Sequence, residues 1–249
     1  MLKRSLPVLL FLFFFSGATA QMYSATGFYR SGLELKKNNQ FPEALTALTK
    51  AISLNKKFDS AYVELANVYL MGGQTDLAIS NYKKALAINP KYAAALFSLG
   101  KIYRDSNKNY DSVIAKKNYD SALIYFNAAA KLDNTNKEIF YSLAWTHNAR
   151  KEYDKAIPYA IRALEIDNKY RPAYGELGHA YNASRKFAEC IEQFKKNLAV
   201  SVVDVAYLYS GLAYTELKNK EGAMQQYEEL KKINEKMAGS LKRKIDAMQ

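Results

Sequence analysis

The chain has 249 residues, 49% of them hydrophobic and 24% charged, and its 11 glycines and 5 prolines are too few for an intrinsically disordered chain. Its formal net charge of +12 could attract an anionic partner, but the basic residues are spread along the whole sequence. The single cysteine, Cys190, excludes an internal disulfide, so packing alone must stabilise the fold.

The first twenty residues, MLKRSLPVLLFLFFFSGATA, have the layout of a secretory signal peptide. Lys3 and Arg4 precede the apolar run Leu6–Phe15, which is short against the ~20 residues of a membrane-spanning helix. The small residues of Ala18–Ala20 predict cleavage before Gln21, and loss of the two basic residues lowers the charge from +12 to +10. We expect an exported protein, periplasmic or extracellular, with no later membrane span; an uncleaved N-terminal anchor is the alternative.

Two series of small residues then recur along the chain. The first is Gly32, Ala66, Gly100, Ala144, Gly178 and Gly211, and the second is Ala44, Ala78, Ala122, Ala156, Cys190 and Ala223. Successive members lie 34, 34, 44, 34 and 33 residues apart in the first series, and 34, 44, 34, 34 and 33 apart in the second. Since small residues let two helices approach closely, the spacing predicts six helix pairs, with ten extra residues between the helices of the third.

Larger side chains keep fixed distances from these positions. Aromatic residues stand three after the first series and three before the second, as in Tyr69, Tyr103, Tyr181 and Tyr214, and in Phe41, Tyr119, Tyr153 and Phe187. The pattern resembles the tetratricopeptide repeat, with AYVELANVYLMGGQTDLAISNYKKALAINP as the best-matching unit. The resemblance implies an all-α fold, a right-handed α-α superhelix (solenoid) of six antiparallel helix pairs plus a C-terminal capping helix.

The expected boundaries follow from this repeat. A repeat domain at 21–237 holds units at about 25–58, 59–92, 93–136, 137–170, 171–203 and 204–237. In the insertion of the third unit, Asp111 or Ser112 can cap a helix, and residues 113–118 can extend the second helix. The insertion is then either a solvent-exposed turn or an arm that contacts a partner.

Residues 238–249 are expected to form the capping helix. Met237, Leu241, Ile245 and Met248 recur at helical spacing, and the remaining positions are mostly charged. One apolar stripe suits a helix that covers the last repeat, and a basic helix on a membrane surface is the alternative.

No arrangement of side chains indicates catalysis, a metal site or a cofactor site. His147 and His179 lie 32 residues apart without further ligands at a recognisable spacing. His147 takes a position that other repeats fill with tyrosine, and Cys190 takes a small-residue position, so both are expected to be buried in the core. We therefore expect a protein that is not an enzyme; a hydrolase with an unrecognised site is a minor alternative.

The resemblance also implies a ligand site, because the family takes up peptides in a concave groove lined by the first helices. In the fourth unit Tyr141, Trp145 and Asn148 recur at i, i+4 and i+7 and share that face. Transfer of these positions to the other units gives a predicted peptide-binding groove of Asn67, Lys101, Arg104, Tyr141, Trp145, Asn148, His179 and Asn182. We expect the Trp145 ring to face the groove rather than the helix pair, with apolar flanks at Val63, Leu70, Leu208 and Leu212.

These residue types predict the chemistry of the partner. Aromatic rings supply contact area, Arg and Lys bind carboxylates, and Asn pairs with an extended backbone, so a protein or peptide segment with an acidic group is expected. Tyr29 and Leu33 stand where the family's clamp for a terminal carboxylate would need polar groups, so that clamp is not reproduced. The function expected is an exported scaffold within an envelope assembly; the alternative is a binder of anionic polymers or lipid surfaces. Nucleic acid is not expected as a partner, and the oligomeric state is open.

Overall fold

The computed structural model describes residues 23–106 and 113–248, so the predicted signal peptide lies outside the described residues. The described residues form two compact units, the first ending at Ile102 and the second beginning at Tyr103. Within the described residues no helix combines the length and the apolar character that crossing a bilayer requires.

The described residues form thirteen α-helices and no strand. The helices are α1 (Ala25–Lys37), α2 (Phe41–Leu54), α3 (Asp59–Met71), α4 (Thr75–Ile88), α5 (Ala93–Asp105), α6 (Val113–Leu132), α7 (Lys137–Ala149), α8 (Tyr153–Ile166), α9 (Arg171–Ala183), α10 (Phe187–Leu198), α11 (Asp204–Glu216), α12 (Lys220–Ile233) and α13 (Glu235–Asp246). Six pairs and one terminal helix confirm the predicted all-α helical-repeat fold.

A left-handed residue turns the chain between the two helices of a pair. Three residues join the helices in the five pairs without an insertion, and the middle one has a positive φ of 56–73°. These residues are Asn39, Gly73, Lys151, Arg185 and Lys218. Because only glycine adopts this conformation without strain, the four side chains at the other positions cost stability.

The small residues of both series are buried, as predicted. A Cβ atom on Gly32 would lie 2.6 Å from Cγ of Leu48, which belongs to the core of the first unit. In the second unit, a Cβ atom on Gly178 would lie 2.2 Å from the ring of Tyr209. Helices therefore meet at these positions at distances that larger side chains would not permit.

The last helix, α13, covers the sixth pair. Asn234 caps its start by accepting a hydrogen bond from the backbone N–H of Met237 at 3.1 Å. Leu241 and Ile245 are fully buried with Ala223 and Leu230, and Leu208 and Leu212 pack against the same cluster. The predicted capping role is confirmed, and Leu208 and Leu212, predicted at the apolar flank of the groove, are half-buried against this cluster.

The insertion of the third repeat lengthens its second helix. Helix α6 begins at Val113 and has 20 residues, which confirms the predicted helical extension over 113–118. Val113 and Ile114 are 86% and 72% exposed, whereas Ala115 is buried. The predicted capping residues Asp111 and Ser112 lie outside the described residues.

In three helix pairs, the first residue of the first helix makes a polar contact with the residue that follows the second helix. Asp59 at the start of α3 accepts a hydrogen bond from Asn89 after α4 at 3.0 Å, and Lys137 of α7 pairs with Asp167 after α8 at 2.5 Å. Asp204 of α11 accepts from Asn234 after α12 at 2.7 Å. The two partners are 30 residues apart in every case, so the contact is a repeated feature of the fold.

Candidate functional site

Two of the predicted groove residues lie in the first compact unit, which ends at Ile102. Asn67 is held within its own repeat, because its side chain accepts a hydrogen bond from the Tyr82 hydroxyl and donates one to Glu64 at 3.2 Å. Lys101 is exposed, with its Nζ atom 5.6 Å from the centre of the Phe97 ring. Val63 is only 5% exposed, so the expectation that it lines the groove is wrong: it belongs to the core.

The other six lie in the second compact unit, where Arg104 has several contacts. Its Nε and Nη2 atoms bind the two carboxylate oxygens of Asp105 at 2.6 and 3.1 Å, and its Nη1 atom donates to Ser142 Oγ at 3.1 Å. Its guanidinium carbon lies 5.3 Å from the centre of the Trp145 ring, a cation–π contact. Arg104 therefore already has a carboxylate partner in the free protein.

Trp145 has a structural contact that the sequence did not reveal. Its half-buried ring meets the ring of Tyr119 edge to face, with centroids 6.1 Å apart, and Tyr119 is 1% exposed in α6. The prediction that the Trp145 ring faces the groove did not include this contact with the second helix of the preceding pair. The Trp145 side chain is thus partly exposed and partly packed against Tyr119.

Asn148 is buried, so the expectation that its side chain lies open on the groove is wrong, and it connects two first helices. Its Nδ2 atom donates to the backbone carbonyl of Glu176 at 2.9 Å and to the Glu176 carboxylate at 2.8 Å. Asn148 is 6% exposed, and no protein donor reaches its Oδ1 atom within the described part of the chain. Both N–H groups of the Asn148 amide thus bind Glu176, and the Oδ1 atom remains a buried acceptor.

Glu176 is the residue that sequence reasoning missed. Burial raises the pKa of its carboxyl, while the Asn148 hydrogen bond and the charges of His179 and Arg104 act to lower it. The pKa of Tyr141 is raised by burial first and by the Glu176 charge second. Four of the predicted residues therefore surround this carboxylate. Its position three residues before His179, on the same helix face, was the available signal.

His179 and Asn182 are exposed on α9, one turn apart. The His179 ring meets the Tyr153 ring edge to face at 5.7 Å, and Tyr141 meets Tyr170 in the same manner at 5.7 Å. Arg104, Tyr141, Asn148 and His179 thus interact with Glu176, Trp145 contacts Arg104, and Asn182 lies one turn after His179. We call Glu176 and these six residues the inner-helix surface.

The contacts between first helices follow one register. Lys36 pairs with Glu64, Arg104 with Ser142, and Asn148 with Glu176. The first member lies four residues after the small residue of its helix, and the second lies two residues before the small residue of the next first helix. The separations are 28, 38 and 28 residues, and the middle one differs by the ten inserted residues. We call these three contacts the inter-repeat pairs.

His147 and Cys190 are core residues, as expected. His147 is 7% exposed, stacks on Tyr159 with ring centroids 5.4 Å apart, and its Nδ1 atom lies 2.7 Å from Glu152. Burial lowers the pKa of His147, and burial raises the pKa of the Cys190 thiol to about 12. Among the described residues, no group of three or more His, Cys, Asp or Glu side chains could hold a metal ion.

Family models match three stretches of the chain. A model described as TPR repeat matches residues 69–105, and two models described as tetratricopeptide repeat match residues 111–171 and 205–234. Together the three stretches cover about half of the chain, in both compact units.

Known proteins are similar to part or most of this chain. Photosystem I assembly protein Ycf3 of Prochlorococcus marinus (strain MIT 9301) is 32% identical over 108 residues, which are 42% of this chain and 61% of Ycf3. The match therefore spans about six tenths of that relative's length. The C-terminal part of a TPR repeat-containing protein from Cytophaga hutchinsonii superposes with a TM-score of 0.69 at 16% identity, covering 92% of each chain.

A second solved structure, YrrB, is described as a TPR protein with an unusual peptide-binding site. It superposes with a TM-score of 0.61 at 24% identity and covers 79% of this chain and 98% of its own. At these identities both structures show the fold alone. From its helix pairs, its family matches and these neighbours, the chain belongs to the tetratricopeptide repeat proteins.

Proposed function

We propose that this chain is an exported scaffold that binds an extended protein segment on the inner-helix surface, as part of an envelope assembly. Tetratricopeptide repeats serve as protein-interaction scaffolds, and the family is generally non-enzymatic. Two similar proteins are described by such roles, Ycf3 as an assembly protein and YrrB by its peptide-binding site. The signal-peptide layout of residues 1–20 supports export.

The observation that carries the binding proposal is the pairing of Trp145 with Arg104. A tryptophan ring stacked by a guanidinium forms a rigid contact area, and Trp and Arg dominate the energetics of protein interfaces. His179 and Asn182 lie exposed on the next first helix, where their ring nitrogens and amide can bind the polar groups of an extended backbone. The surface therefore offers both an anchor and hydrogen-bond partners.

Fluorescence gives a direct test, because Trp145 is the only tryptophan of the chain. Peptides selected from a random nine-residue library on the full chain should change the emission of Trp145 saturably. Changing His179 and Asn182 together to alanine should weaken binding by about tenfold, since both side chains are exposed and their loss leaves the core intact.

The matched control changes Glu192 and Lys196 to alanine. Both are exposed on α10, a second helix, and their joint replacement leaves the net charge unchanged. The control should bind as the unaltered chain does. Failure to select any peptide, or binding without a change in Trp145 emission, would refute the proposed site.

Trp145 itself requires two substitutions, since its ring also packs on Tyr119. Trp145→Ala should weaken peptide binding by about thirtyfold, the loss expected at a hot spot. Trp145→Phe keeps an aromatic ring against Tyr119 and should retain the melting temperature while it loses part of the affinity. Equal binding by both variants would contradict the anchor role.

Export is tested separately from binding. After expression in a bacterial host, the envelope fraction should contain a chain that begins at Gln21, identified by mass spectrometry of its N-terminal peptide. Recovery of an intact Met1 in the cytosol would contradict the export proposal and leave the binding proposal untouched.

The basic charge supplies no second function. Several cations are engaged by carboxylates within the chain, among them Lys36 with Glu64, Lys137 with Asp167 and Arg171 with Asp204. The family matches and neighbours favour a protein partner over an anionic polymer or a lipid surface.

A further inference from the structure

The inner-helix surface contains a carboxylate without a matching cation. Glu176 is half-buried, and among the described residues its carboxylate has one hydrogen-bond partner, the neutral amide of Asn148, at 2.8 Å. It forms no ion pair with a lysine or arginine of the described residues. A buried carboxylate is stabilised by a paired charge, so this one is left with an incomplete environment.

Another of the inter-repeat pairs shows which group would complete the environment of Glu176. Glu64 occupies the same repeat position as Glu176, two residues before the small residue of its first helix, and there it pairs with the ammonium group of Lys36. Asn148 occupies the position of Lys36. Glu64 therefore has a cationic partner within the chain, whereas Glu176, at the same repeat position, has a neutral amide.

Two neighbouring features indicate the same chemistry. Among the described residues, the buried Oδ1 atom of Asn148 has no protein donor, and it belongs to the amide whose Nδ2 atom binds the Glu176 carboxylate. Two cationic side chains act on the Glu176 carboxyl: His179, which is exposed on the same helix, and Arg104, which is committed to Asp105 through two hydrogen bonds at 2.6 and 3.1 Å. Arg104, Asp105 and Glu176 together carry one excess negative charge. A carboxylate ligand would add repulsion here, whereas a cation with several N–H groups would satisfy both acceptors.

We propose that Glu176 and Asn148 receive the ammonium or guanidinium group of a lysine or arginine side chain in the bound protein segment. This rests on the proposed function, since it concerns the ligand of the same surface, and it assigns that ligand a charge opposite to the one the sequence suggests. Burial of Glu176 raises its pKa in the free protein, and a bound cation would counter that effect.

The test compares charges at one position of the peptides selected on the full chain. Selected sequences should share a lysine or arginine, and replacing that residue with glutamine should weaken binding by about tenfold, followed by Trp145 emission. Glu176→Gln keeps the shape of the side chain and removes its charge. The variant should bind both peptides with the same, weaker affinity, because the charge pair is already lost.

A second variant places a cation beside Glu176 within the chain itself. Asn148→Lys reproduces the Lys36–Glu64 pair, so its ammonium group should occupy Glu176 and weaken binding of the basic peptide by about tenfold without lowering the melting temperature. Glu192→Gln, the same charge change at an exposed residue of α10, is the control and should leave the affinity for both peptides unchanged.

The outcomes separate this inference from the proposed function. Selected peptides that share aspartate or glutamate, or that bind equally after the lysine is replaced, would overturn the cation site while Trp145 emission still reports binding. A Glu176→Gln variant that keeps the tenfold preference would overturn it as well. Absence of any bound peptide would overturn both proposals together.

Discussion

Replacing Leu241 with alanine should detach the C-terminal helix α13 from the sixth helix pair. Leu241 is fully buried, and its Cδ2 atom lies 2.4 Å from the place that a Cβ atom on Gly211 would occupy. The substitution removes three carbon atoms, each worth about 0.8 kcal/mol of transfer free energy, or about 2.4 kcal/mol together. Because Gly211 has no side chain to fill the space, a cavity remains, and the total loss should reach about 3 kcal/mol.

Two measurements test this loss. Urea unfolding followed by circular dichroism gives the change in the free energy of unfolding, and hydrogen exchange shows where the loss occurs, because a repeat protein can unfold unit by unit. Backbone amides of α13 should exchange faster than those of α9. Lys244→Ala, an exposed change on the same helix, should stay within about 0.5 kcal/mol of the unaltered chain.

A double-mutant cycle sharpens the argument. Gly211→Ala alone should be destabilising, since the new methyl group meets Leu241, whereas in the Leu241→Ala background the same methyl group fills part of the cavity. Additive effects, or α13 amides that exchange at unchanged rates in Leu241→Ala, would refute the view that this leucine fastens the cap.

Three further predictions concern other parts of the fold. Lys218→Gly should raise the free energy of unfolding by about 1 kcal/mol in urea titrations, since residue 218 has φ 56° and glycine adopts that conformation without strain. Gly178→Ala should lower it by on the order of 1–3 kcal/mol, because the new Cβ would lie 2.2 Å from the Tyr209 ring, whereas Gly175→Ala, with no atom within 4 Å, should be neutral or stabilising. The Cys190 thiol, 2% exposed and with its pKa raised to about 12, should react with a thiol reagent at pH 8 only after denaturation; rapid labelling of the native chain would contradict its burial.

The sequence sufficed for the repeat architecture because close helix packing leaves a local signature. A position such as Ala156 or Gly178 must be small whatever surrounds it, so the period is visible without knowledge of any contact. The capping helix was equally accessible, since the spacing of Leu241 and Ile245 alone defines one apolar face.

The contacts of the candidate site are harder to predict from the sequence, because they join residues of different repeats. That Asn148 bonds to Glu176, or that the Trp145 ring rests on Tyr119, depends on how far one helix is shifted along the next. Helical periodicity gives the face of a residue and not its partner across the interface. For the same reason helical periodicity predicts Val63 at the groove, although its neighbours bury it.

The inter-repeat pairs bear on how such a chain could gain or lose a repeat. Deleting residues 137–170 would join the third unit to the fifth and set Arg104 in the place of Asn148, before Glu176. The Lys36–Glu64 pair shows that a cation fits at this repeat position. The shortened chain would therefore have an ion pair in place of the contact between the neutral Asn148 amide and Glu176. Deleting residues 171–203 would instead set Asn148 before Tyr209, an aromatic residue at the position of Glu176. The repeats are therefore not interchangeable, and recombination within this chain is constrained by which polar group each repeat presents to the next.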